Sequence, residues 1–317
     1  MIDALERLVE QFAENEASLL DPSQLRQRVE ALDLLDAHFP DARQSISAAA
    51  SNTAELYRRA RAIYARLEAV NCELYEGIRV EIQRGGRPEA LLRWGASSAE
   101  MEGVAGPAKG MGYDYLDELI SGVFQFEEPD DEPVRRAEMV LYQPTPARHI
   151  FTLIDVTALT AADVLVDLGS GLGHVPLLAA TLTSARSIGI ELEASYVERA
   201  RQCAQRLNLN RVTFIEQDAR AADLSTGTVF YLYTPFTGSI LSSVLGRLRR
   251  EAAARPIRVC TYGPCTSAVA EESWLEATAT PVPHRITLFR SRSSDGSRYR
   301  TPPPPRYGRG SRISPGI

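Results

Sequence analysis

The stretch of this chain best placed to do chemistry is VLVDLGSGLGHVPLLAA, Val164–Ala180. An apolar run carries Asp167 near its end. Gly169, Ser170, Gly171, Leu172 and Gly173 then make a turn, and a helical pattern begins near His174. Glycines let a backbone turn sharply and let a ligand approach where a side chain would collide. The spacing is Gly-x-Gly-x-Gly, not the Gly-x-Gly-x-x-Gly that cradles a pyrophosphate. A carboxylate at Asp167 repels a pyrophosphate but accepts from an ammonium. Downstream, Glu191 closes the run IGIE, and Asp218 follows FIEQ. Glu191 stands where ribose hydroxyls donate, and Asp218 where an adenine amino group would lie. Acids at three successive strand ends fit a nucleoside carrying an amino-acid tail. The same residues also admit an ordinary tight turn with solvated acids, or a dinucleotide-binding oxidoreductase.

The motif VDLGSGLG, with IGIE and QDA downstream, resembles the class I S-adenosylmethionine-dependent methyltransferases over about residues 140–290. The resemblance implies S-adenosylmethionine as cofactor. It puts Asp167, Gly169, Ser170, Gly171 and Gly173 at the methionine end, Glu191 on the ribose, and Asp218 with Ala219 at the adenine. Upstream lies LYQPTP, Leu141–Pro146, whose prolines fix the path of the loop. Tyr142 and Thr145 are thereby placed to close over the cofactor, although Tyr142 also reads as a packing aromatic at a junction. LYQPTP and VDLGSGLGHV together look like the non-SET histone-lysine methyltransferases and their bacterial relatives. Those proteins also place a helical segment before the catalytic domain.

A later strand leads into YLYTPF, Tyr231–Phe236. Tyr233, Thr234, Pro235 and Phe236 are the candidates for the acceptor side. Many amine methyltransferases carry an acid or Asn, then Pro-Pro, then an aromatic at this place. Here one Pro and the aromatic remain, but Thr234 stands where Asn or Asp normally accepts from the substrate amine. That departure weakens base-amino or glutamine methylation and leaves lysine or small-molecule acceptors. A sulfonium is already an activated methyl donor, so alignment and a dry pocket carry most of the acceleration. A general base is needed only for a nucleophile that arrives protonated. No strong base stands out. His174 reads as a helix-start residue, His149 as a packing or capping residue, and His38 and His284 as helix-end and loop residues. Tyr233 and Tyr262 read equally as pocket lining or core. Cys260 and Cys265 are set aside as nucleophilic thiols.

Elements must hold these residues. Short apolar runs at 164–168, 187–190, 212–215, 228–233, 257–262 and 285–289 alternate with helical patterns over 194–207 and 240–254. Such alternation predicts an α/β, doubly wound, mostly parallel Rossmann-like sheet with helices on both faces. The first 132 residues read as all-α. Leu5, Leu8, Val9 and Phe12 recur at helical spacing, and Asp21-Pro22 is a helix start. A long pattern runs from about Asp41 to Arg84, and Gly85-Gly86-Arg87-Pro88 stops it. Shorter helices follow near Glu89–Trp94 and Tyr113–Phe124. The run Glu127–Pro133 is the expected linker. This gives a helical domain over 1–132, a catalytic domain over 133–290 and a disordered Arg/Pro-rich tail over 291–317. The helical part is either a cap or oligomerisation bundle, or a lid that shapes the acceptor cleft.

The chain has 317 residues with Lys+Arg 35 against Asp+Glu 41, and 44% of it is hydrophobic. A core of good size is available, and no apolar run reaches transmembrane length. The net charge of -6 divides into -12 for 1–140, +1 for 141–290 and +5 for 291–317. The acidic first segment argues against broad nucleic-acid contact, while the basic tail is either a solubilising end or an arm for an acidic partner. Scattered cysteines and an acidic, amphipathic start suit a reducing cytoplasm, with no metal site. Lys109 is the single lysine. The expected activity is methyl transfer to a nitrogen of a protein lysine or small molecule. The alternatives are a cofactor-binding module without transfer and a helical scaffold. The oligomeric state is not legible.

Overall fold

The structure is a computed structural model that describes residues 2–39, 51–102, 112–126, 140 and 142–292. The expected linker, most of the tail, Lys109 and the start of the long helical pattern lie outside these residues.

The first part is helical, as expected. It contains α1 (Ile2–Glu14), α2 (Glu16–Leu19), a 3-10 turn (Pro22–Gln24), α3 (Leu25–Asp36), α4 (Ser51–Gln83), α5 (Glu89–Glu102) and α6 (Tyr115–Phe124). Asp21 caps its turn by accepting from Ser23 N. Asp114 caps α6 in a reciprocal capping box with Asp117. Leu5, Val9 and Phe12 of α1 pack with Leu35 of α3 and Leu56, Ile63 and Leu67 of α4. Helix α5 runs further than the short helix expected from its apolar residues.

The second part opens with α7 (Ala147–Thr157). It continues through β1 (Val164–Leu168), α8 (His174–Leu182), β2 (Arg186–Glu191), α9 (Ala194–Arg206), β3 (Val212–Glu216), β4 (Val229–Leu232) and α10 (Gly238–Ala254). It ends with β5 (Arg258–Thr261), α11 (Cys265–Ala270), β6 (Leu275–Ala277) and β7 (Thr287–Ser291). The sheet order is β3-β2-β1-β4-β5-β7-β6. Strands β1 to β5 pair in parallel, and β7 runs antiparallel to both β5 and β6. This is the doubly wound sheet expected from the alternation. Sequence patterning missed α11 and β6, which are too short to show a period.

Strand β1 is buried along its whole length, as befits a central parallel strand. Val164, Val166 and Leu168 face one core with α10 and α11. Leu165 faces the other, which continues through α8 and α9 into Phe151 of α7, Leu116 and Phe124 of α6, Ile78 of α4 and Leu25 of α3. The helical part therefore shares one hydrophobic core with a face of the sheet. The order of strands reverses between β1 and β4, so a crevice opens beyond their carboxyl ends. Among the described residues, no helix is long and apolar enough to cross a membrane.

Candidate functional site

A cavity of about 870 Å³ fills that crevice, within the range of small-molecule and cofactor sites. The Gly169 turn and the ends of β1, β2 and β4 form its floor. The loops at 142–145, 217–220 and 233–237 form its walls. Of the expected site residues, Tyr142, Thr145, Asp167, Gly169, Ser170, Glu191, Asp218, Ala219, Tyr233, Thr234, Pro235 and Phe236 all line it.

Gly171 and Gly173 work from behind. Gly171, at φ +51°, lies under the ring of Tyr142, whose Cε2 would stand 2.0 Å from an added Cβ. Its N–H donates to Glu191 Oε2 at 2.9 Å. Gly173, at φ +84°, packs against Phe214, which would lie 2.5 Å from a Cβ.

The acids differ in state. Glu191 accepts from the N–H groups of Gly171, Leu192 and Glu193. Three bonds fix the carboxylate and leave one lone-pair site for a hydroxyl. Asp167 is 4% exposed. Burial, seconded by Glu191, pushes its carboxyl well above the usual carboxylate range. Asp218 forms a two-pronged ion pair with Arg220, the shorter contact at 2.6 Å. Ser170 Oγ is buried with no hydrogen-bond partner among the described residues.

On the wall at 233–237, Thr234 adopts φ +42°, a strained conformation for a β-branched residue. Its hydroxyl accepts from Cys265 N at 3.0 Å and donates to the Tyr262 carbonyl at 3.3 Å. It is thus used inside the protein, and does not stand in for an Asn or Asp facing a substrate amine. Tyr233 lines the cavity, and burial pushes its phenol up to about 12. The Tyr262 ring meets it at a tilt, centroids 4.7 Å apart, and also meets the His149 ring at 4.3 Å. No side chain on this wall is placed and poised as a base. His174 lines the cavity, but burial lowers its pKa to about 3. Cys260 and Cys265 are buried, and burial raises both thiols, which argues against a nucleophilic role.

Sequence reasoning missed Tyr231, Tyr196 and Arg220. Tyr231 is the register partner of Asp167, and its hydroxyl shares a 3.0 Å hydrogen bond with Thr145. Strand alternation could have found it, because Tyr231 falls on the face opposite Phe230.

Residues 159–231 match the family model of a methyltransferase domain. That stretch runs from just before β1 to Tyr231 in β4 and holds the glycine turn, so it carries the signature of a methyltransferase domain. Several solved structures are similar. An RNA methyltransferase from Salinibacter ruber, in complex with S-adenosyl-L-homocysteine, is 25% identical over 49% of this chain and 100% of its own, with a TM-score of 0.40. A methyltransferase from Geobacter sulfurreducens is 18% identical over 62% of this chain and 96% of its own, TM-score 0.39. A tRNA (uracil-54, C5)-methyltransferase from Pyrococcus abyssi, also with S-adenosyl-L-homocysteine, is 18% identical over 47% and 39%, TM-score 0.37. No curated protein matches the chain. The residues of the cavity fit S-adenosylmethionine. Asp167 is a buried acid that an ammonium would relieve, and Glu191 keeps one acceptor site for ribose.

Proposed function

We propose that the chain transfers the methyl group of S-adenosylmethionine to a nitrogen of a protein lysine or a small molecule. The cofactor supplies a methyl group already activated on a sulfonium. The chain's own residues bind, orient and exclude water. Asp167 receives the ammonium, Glu191 the ribose hydroxyls, and Asp218 with Ala219 the adenine. Tyr142 and Thr145 cover the methionine end, while Tyr233, Thr234, Pro235 and Phe236 shape the acceptor wall.

The observation that carries this reading is the division of the cavity. Its acidic side chains sit on the floor and on the wall beyond β3, and the wall made by Tyr233–Phe236 holds no ionised group and is partly aromatic. Such a wall aligns a neutral amine without deprotonating it. Burial of Thr234 and Phe236 keeps water out. The free, mostly buried cysteines suit the cytoplasm. The helical part over 1–132 then serves as a partner to the domain over 133–290.

The test is incubation with methyl-labelled S-adenosylmethionine and a cell lysate, then separation into protein, nucleic acid and small molecules. Label in protein or small molecules supports the reading. Label confined to nucleic acid overturns the choice of acceptor. Cofactor binding with no label anywhere favours a binding module, the reading that the internally used Thr234 hydroxyl supports.

A further inference from the structure

Tyr142 does not hold its position over the glycine turn alone. Its hydroxyl lies 3.2 Å from Nδ1 of His174, the first residue of α8. The His174 ring is in turn stacked on Phe126, centroid to centroid 3.7 Å and 21° from parallel. Phe126 comes from the helical part of the chain, two residues beyond α6. It stacks on Phe124 at 5.6 Å, and Phe124 is 1% exposed in the shared core. The backbone between them is fixed from α9. Arg206 donates to the Gln125 carbonyl at 2.9 Å, and the Cys203 thiol donates to the Phe124 carbonyl at 3.2 Å. A continuous line of contacts thus runs from α6 through Phe126 and His174 to Tyr142, and ends on Gly171.

We infer that Phe126 and His174 are positioning residues that hold the Tyr142 ring over the glycine turn, so that the helical part sets the affinity of the cofactor site. The inference rests on the reading that this cavity binds S-adenosylmethionine. Its chemistry is simple. A neutral imidazole with its proton on Nε2 accepts the Tyr142 hydroxyl through Nδ1. The flat face of the imidazole lies on Phe126, which denies the ring its other rotamers. A tyrosine fixed in this way loses less freedom when a ligand is enclosed, and pre-organisation of this kind appears as affinity.

The experiment is calorimetry of the full chain with S-adenosylhomocysteine, with thermal unfolding as the check that each variant is folded. His174→Leu and Tyr142→Phe each remove the same hydrogen bond, and each is expected to weaken binding by about three- to tenfold. The double variant is expected to be no weaker than the worse single one, because the two residues act as a unit. His174→Asn offers its Oδ1 at the same reach from the backbone as Nδ1 and is expected to restore binding to within about twofold of the wild type. Phe126→Ala is expected to weaken binding in the folded protein and to lose that effect in the Tyr142→Phe background. Wild-type binding with multiplicative losses, or with unchanged affinity in His174→Leu and Phe126→Ala, would overturn this inference alone. Absence of wild-type binding would overturn the cofactor reading and this inference with it.

Discussion

Pro235 packs onto Gly169 so closely that a Cβ at position 169 would stand 2.3 Å from the proline Cβ. The Thr234–Phe236 loop therefore leans directly on the glycine turn. A second tie is the hydrogen bond from Val140 N to the Pro235 carbonyl at 3.3 Å. Gly169 also sits at φ +88°, where other residues are strained. Gly169→Ala is expected to cost on the order of 1–3 kcal/mol of stability from backbone strain alone. It should also push the Thr234–Phe236 loop off the turn. Urea unfolding and S-adenosylhomocysteine titration check both parts. An alanine variant with wild-type stability and affinity would show that the contact is slack.

Thr234 combines a costly backbone with a useful hydroxyl. Thr234→Val keeps the shape and the strain but leaves Cys265 N without its acceptor. That loss is expected to cost about 1–3 kcal/mol. Thr234→Gly loses the same bonds but releases the strain at φ +42°, so it should be the more stable of the two. Urea midpoints decide the order. If valine is the more stable variant, the backbone at 234 is not strained.

The cofactor side of this site was legible because its signals are local. Glycines at fixed spacing and single acids at strand ends survive without any knowledge of packing. The doubly wound, mostly parallel sheet followed from the alternation of strands and helices. The acceptor side was not legible in the same way. The hydroxyl of Thr234 is claimed by Tyr262 and Cys265, residues 28 and 31 positions away, and no pattern in YLYTPF announces that. Phe126 was hidden for the same reason, since its partner His174 is remote in sequence, at the start of α8, and only the folded core brings them together.

Asp117 gives a pH test. Its carboxylate accepts from Ala147 N at 2.8 Å and Asp114 N at 2.7 Å, so one side chain serves the starts of both α6 and α7. Burial nevertheless dominates and raises its pKa from 3.8 to about 6. A raised folded pKa means that the folded state holds the proton more tightly. The contribution to stability is fully present below pH 3.8 and is lost as pH rises through about 6. Asp117→Asn cannot titrate. The stability of the wild type relative to this variant should therefore fall between about pH 4 and pH 6 and level off above that. Parallel curves from urea midpoints across that range would refute the assignment.

Arg28 is fully buried, and among the described residues no carboxylate pairs with its guanidinium. It donates to Asn71 Oδ1 at 2.6 Å and to the carbonyls of Leu19 and Asp21 at 2.9 and 2.7 Å. Burial lowers its pKa, and the planar fork is what reaches all three acceptors. Arg28→Lys should destabilise the protein nearly as much as Arg28→Met, because one ammonium cannot span them. A loss of about 1–3 kcal/mol is expected for each. A lysine variant with wild-type stability would show that charge, not the fork, is what matters.

Asp167 offers the most direct check on the cofactor. Its buried carboxyl faces Glu191 and favours the protonated form. A ligand ammonium reverses that preference by placing a positive charge beside it. Binding of S-adenosylhomocysteine is therefore expected to release a proton, and the affinity should rise with pH up to the pKa of the free carboxyl. Calorimetry in buffers of different ionisation enthalpy measures the release directly. Asp167→Asn cannot release the proton and cannot carry the countercharge. It should bind at least about tenfold more weakly, as expected for a lost hydrogen bond to a charged group, with no dependence on buffer. If the wild type binds with no proton released at any pH from 5 to 8, Asp167 is already ionised, or does not meet the ammonium. The variant separates these two outcomes, since its affinity falls only in the first.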